Sequence, residues 1–118
     1  MAYVDGFVLA VPSARKDEYL AHCQIFGKMI VEYGAIKVVE CWGNDVPQGE
    51  ISSFPMAVKA EEDETVCFSW IYWQDKAARD SGMQKLMQDP RMQEEGLEMP
   101  YDGKRMIFGG FDVLTEIE

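Results

Sequence analysis

Two segments of this chain, residues 2–11 and TVCFSWIYW at residues 65–73, are apolar on both of their alternating faces. Successive side chains of a strand point to opposite sides of its sheet. In the first segment Val4, Val8 and Ala10 alternate with Tyr3, Phe7 and Leu9; in the second, Phe68, Trp70 and Tyr72 alternate with Cys67, Ile71 and Trp73. Strands of this kind need cover on both sides, which limits the folds open to a chain of 118 residues with room for one domain and one core.

The intervening pattern supplies cover for one side. Ser13 after Pro12 can cap a helix running to about Tyr33, with Gly34 placed to end it in the left-handed region. Its apolar face is Tyr19, Leu20, Cys23, Phe26, Gly27 and Ile30. IKVVECW (36–42) reads as a second strand closed by the turn-rich GNDVPQG. Residues 50–64 admit a short helical turn or an extended piece, and the acidic run Glu61–Glu64 reads as a solvated loop. Asp75 caps a second helix with Ala78, Gly82, Met83, Leu86 and Met87 on its apolar face, ended by Asp89-Pro90. Asp102-Gly103 then turns the chain into a last strand, RMIFGGF. The "GKR" before that strand lacks the GxxxxGK[ST] pattern of a phosphate loop, and Gly109-Gly110 reads as close packing or a bulge.

The order strand, helix, strand, strand, helix, strand predicts an α+β fold on the ferredoxin-like β-α-β-β-α-β plan, an antiparallel sheet with both helices on one face, as a single domain over residues 1–118. The other face would then lie open and apolar. A second copy laid face to face about a twofold axis would close two such sheets into a barrel-like dimer. The alternative is that residues 44–64 fold back over the face, although a loop rich in Gly, Pro and acids is a poor lid.

Composition excludes several partners. With 21 acidic against 11 basic residues and a formal charge of −10, the surface field repels phosphate backbones, so no nucleic-acid partner is expected. No stretch is apolar for long enough to span a membrane, and the N-terminal apolar run carries Asp5 and no basic lead, unlike a signal peptide. Cys23, Cys41 and Cys67 are odd in number and set in apolar runs, which suits reduced thiols in a cytoplasm. With one histidine and no CxxC pair, no metal is expected.

VDGFVLAVP, VVECWGNDVP, SFPMAVKAEEDETVCFSWIYW, DPRM and MPYDGKRMIFGGF, in that order, resemble the DUF1428 family of small bacterial proteins in the dimeric α/β-barrel superfamily. The resemblance implies the fold and the homodimer above. The superfamily includes cofactor-free quinol monooxygenases, muconolactone-isomerase-like enzymes, haem-dependent dismutases and peroxidases, and stress-induced proteins. It therefore implies a dimer holding an apolar small molecule between or at the rim of its sheets, as a cofactor-free monooxygenase or isomerase would. The alternative is a non-enzymatic binding or stress-response protein with a packed interior. A haem would need His22 as axial ligand; its place on the flank of the first helix, with Ile25 and Met29, suits an interface contact instead, so no cofactor is expected.

Candidate site residues are the polar exceptions in the apolar strands. Asp5 and Glu40 are carboxylates among aromatics; one of them is expected to face the inter-sheet space, paired with Arg105 at the start of the last strand. Such a pair would fix sheet register, or supply a general base to a pocket lined by Tyr3, Phe7, Trp42, Trp70 and Tyr72. Cys41, with no basic neighbour, reads as inert.

Overall fold

The computed structural model describes residues 1–93 and 99–118. Along the chain lie β1 (Tyr3–Pro12), a 3-10 turn (Ser13–Arg15), α1 (Lys16–Glu32), β2 (Lys37–Trp42), α2 (Phe54–Ala57), β3 (Glu64–Trp73), α3 (Lys76–Met87), a second 3-10 turn (Pro90–Gln93) and β4 (Ile107–Asp112). The strands form one sheet in the order β2-β3-β1-β4, with every neighbouring pair antiparallel. β1 is central: Tyr3 lies opposite Trp73 on one side and Asp112 on the other. The fold is α+β with a four-stranded antiparallel sheet and three helices.

Register decides which residues meet the helices. Tyr3, Ile71 and Trp73 pack with Met29 and Ile30 of α1 and Leu86 of α3, while Leu9, Val11 and Cys67 pack with Tyr19 and Cys23. α3 closes on the sheet at Gly82, where a Cβ would lie 2.6 Å from the Trp73 ring and 2.7 Å from the Tyr33 carbonyl. The helix starts as its sequence predicts, with the Asp75 carboxylate accepting from the Ala78 N–H at 2.8 Å. Gly34 sits at φ 114°, ending α1 in the conformation that glycine adopts without strain.

Several local expectations are corrected. Ser13 does not cap α1: its hydroxyl lies 2.6 Å from that of Thr65, and the capping position falls to Arg15, which makes no side-chain cap bond. Leu20 and Met87 are exposed, and the buried face of α1 is Tyr19, His22, Cys23, Met29 and Ile30. Glu64 is not in a solvated loop: it opens β3, and its side chain is 5% exposed because Arg105 covers it.

The other sheet face is partly roofed. Residues 44–64 do fold back over one end, where Val58 packs on Val8, Ala10 and Val66. They do so through α2, capped by the Ser53 hydroxyl accepting from Met56 N–H at 3.1 Å and opened by Pro55 in its first turn. The remainder of the face is open and apolar.

Candidate functional site

The open part of the face is a trough of about 690 Å³ whose walls include Val4, Phe68, Trp70, Tyr72, Ile107 and Phe111. α2 bounds one end, with the Phe54 ring edge-on to Phe68 at 6.0 Å. Val113 and Glu116 bound the other, held there by the bond from Val113 N–H to the Ala2 carbonyl at 2.9 Å. Of the aromatic candidates, Trp70 and Tyr72 line the trough. Phe7 borders it, although its ring shares the helix-side face and stacks on Phe108 at 6.3 Å. Tyr3 and Trp42 lie on the helix side, packed in its two clusters.

The structure does not bring Asp5, Glu40 and Arg105 together. Asp5 shares its face with Tyr3 and Leu9, and Glu40 lies opposite Ser69 on that same side, so both carboxylates point to the helices and not to the inter-sheet space. Asp5, 8% exposed, accepts from Trp73 Nε1 at 3.0 Å and lies 3.4 Å from Arg79 Nε. Burial raises its carboxyl above the ordinary range, opposed by the Trp73 bond and the Arg79 charge. Arg79 also donates to the Tyr3 hydroxyl at 2.7 Å, with its guanidinium 4.8 Å from the Tyr3 ring centre. Gly110, opposite Asp5, is bare because a Cβ there would strike the Tyr3 hydroxyl and the Arg79 guanidinium.

Arg105 instead forks onto Glu64, Nη1 and Nη2 each at 2.7 Å, and its Nε donates to Asp102 at 3.1 Å. The reason is local: Arg105 belongs to the turn ahead of β4, which begins at Ile107, and so meets the start of β3. The cation that compensates Asp5 was legible in principle, since Arg79 stands three and seven residues before Gly82 and Leu86, on the buried side of α3.

Glu40 anchors a second polar group on the helix side. Its carboxylate accepts from the Tyr19 hydroxyl at 3.0 Å, and Lys16 lies 5.3 Å over the ring of neighbouring Trp42. Tyr101 meets Tyr19 edge-on at 5.9 Å. His22 is buried, stacked on Phe26 at 5.8 Å and edge-on to Tyr101 at 6.1 Å, so it packs within the chain and is not the interface contact that its place on the helix flank predicts. Burial pushes the Cys23 and Cys67 thiols and the Tyr101 phenol up to about 12, leaving them protonated at neutral pH. Glu40 and Cys23 also border an apolar groove of about 660 Å³ between α1 and the edge strand β2.

Burial also raises the Glu40 carboxyl, against the lowering effect of bonds from Tyr19, Cys23 and Ser69. A folded chain that holds this proton more tightly than the unfolded chain loses stability as pH rises from the ordinary carboxyl value through the raised one. Glu40→Gln removes that loss. It should match the wild type near pH 4 and exceed it by a small margin at pH 7, because the residue keeps an exposed flank. Urea midpoints at the two pH values test this, and an unchanged difference between them would refute it.

The model of the family described as "Protein of unknown function (DUF1428)" matches residues 2–103. The Uncharacterized protein YbaA of Escherichia coli strain K12 is 53% identical over 116 residues, covering 98% of this chain and 99% of that protein. Proteins of the same name from Escherichia coli O157:H7 and Shigella flexneri match at the same identity and coverage. Similarity of this extent, over a family match that takes in β1 through β3 and all three helices, places the chain in the DUF1428 family.

Proposed function

We propose that this protein is a cytoplasmic homodimer that holds an apolar small molecule between its sheets, in the trough. The strand order β2-β3-β1-β4, with the helices α1 and α3 on one side, supports a ferredoxin-like protomer, and the uncovered face supports its pairing with a second copy as a dimeric barrel. The observation that carries the reading is the trough itself: about 690 Å³ of concave surface walled by aromatic and aliphatic side chains, within the size range of small-molecule sites. Phe111 and Ile107 remain 62% and 44% exposed in the single chain, which is costly to leave in water. Asp5 and Glu40 lie on the far side of the sheet, and the trough is charged only at its margin, by Lys37 and Glu116, so it supports binding chiefly through shape and apolar contact. Three free cysteines, two of them buried, support a reducing compartment.

The test pairs sedimentation equilibrium with titration by a neutral apolar fluorophore such as N-phenyl-1-naphthylamine. A two-chain species at micromolar concentration and saturable fluorescence, weakened at least tenfold by Tyr72→Asp, are expected. A 13.4 kDa species throughout, or binding indifferent to Tyr72→Asp, would refute the reading.

A further inference from the structure

The open sheet face is not flat. It carries a ridge at one end, α2, and the trough at the other. On the ridge Ile51, Phe54 and Met56 are 96%, 50% and 44% exposed, although Val58 beneath them is fully buried. We propose that the trough of each protomer is completed by a second copy, whose α2 ridge seats Phe54 and Met56 over Trp70, Tyr72 and Phe111, so that the ligand site is built from two chains.

This rests on the homodimer reading and specifies how its faces meet. An isologous contact requires that whatever one surface offers, the other receives. A twofold axis parallel to the strands would set ridge on ridge and leave the two troughs facing each other. A twofold axis lying between the sheets and perpendicular to the strands reverses one face end for end, and sets each ridge into the other's trough. The second arrangement covers the exposed apolar groups of both ends at once, as burial favours.

Charge points the same way. Two chains of formal charge −10 repel over most of their surfaces, and close approach is least costly where neither carries an ion. Residues 51–58, ISSFPMAV, contain no ionisable side chain, and the trough is charged only where Lys37 and Glu116 line it. The ridge is also held in shape before docking: Ser53 caps it, Phe54 rests against Phe68, and Val58 is locked into the sheet, so little order remains to be imposed on association. A ligand in the trough would thus be floored by Trp70 and Tyr72 of one protomer and roofed by α2 of the other.

The test is complementation between opposite charges. By sedimentation equilibrium, Met56→Lys on the ridge should weaken the dimer at least about 100-fold and Phe111→Asp in the trough at least about 1000-fold. Mixed one to one, they should recover a heterodimer within about tenfold of the wild type, since one ridge and trough are native and the other pair is lysine against aspartate. The neutral fluorophore should bind the mixture and neither variant alone. Circular dichroism checks that each variant is folded; Ile51→Lys replaces Met56→Lys if the latter is not. A wild type that sediments as a monomer refutes the dimer and this assembly together. A dimeric wild type whose ridge variant dimerises normally, or whose variants fail to complement, refutes the ridge-in-trough assembly alone.

Discussion

Replacing Trp73 with alanine should cost about 3–5 kcal/mol, a large part of the about 5–15 kcal/mol that holds a small domain folded. Trp73 is fully buried at the end of β3, where α1, α3 and β1 converge. Truncation removes its packing and leaves a cavity beside Gly82, which gave up a side chain so that α3 could approach the ring. It also takes away the N–H that Asp5 accepts from, leaving a nearly buried carboxylate with Arg79 at 3.4 Å as its remaining partner. Trp73→Phe separates the two effects: packing is mostly kept, and loss of the bond alone should cost about 1–3 kcal/mol. Denaturant midpoints at one fixed protein concentration measure both, and a Trp73→Ala variant within about 1 kcal/mol of the wild type would contradict this account of the core.

The other large effect is expected on assembly. Phe111 stands 62% exposed on the open face, its ring against Gly6 and Gly109, so an aspartate there should be tolerated by the single chain. In a face-to-face dimer the same change buries an unpaired charge, at about 3–5 kcal/mol each, and symmetry introduces it twice. Dimer affinity should therefore fall by at least about a thousandfold, and the dependence of melting temperature on protein concentration should vanish with it. Equal dissociation constants for Phe111→Asp and the wild type would show that this face is not where two copies meet.

The order of the elements was legible in the sequence because each carries its own local signal. The alternation in residues 65–73, the Asp75 cap and the glycine after α1 each depend on neighbours a few residues away. What the sequence concealed was settled by contacts between distant residues. Arg105 looked like the partner of Asp5 because the last strand was begun two residues early; in a turn it meets Glu64 instead. Arg79 interrupts the apolar pattern of α3, yet its spacing from Gly82 and Leu86 sets it on the buried side, and the structure places it over Asp5. Leu20 fits the apolar stripe of α1 by spacing yet lies outside, because the helix turns Tyr19, Cys23 and Ile30 to the sheet and leaves Leu20 in the groove beside β2. The roof over one end of the open face depends on Val58 reaching Val8 and Ala10, a contact across about fifty residues that no local pattern announces.

The pairing of Tyr3 with Asp112 also governs how the chain emerges during synthesis. β1 is made first and is the central strand, yet its β4 ladder needs residues that the ribosome adds more than a hundred positions later. At about 5–20 residues per second, a strand apolar on both sides must wait roughly 5–20 s for that neighbour. Its first shelter is β3, which leaves the ribosome ahead of β4, so the β1–β3 ladder can form over α1 before the far edge is covered. Emergence in the order β1, β2, β3 and then β4 thus makes the far edge of β1 the last part of the sheet to be covered.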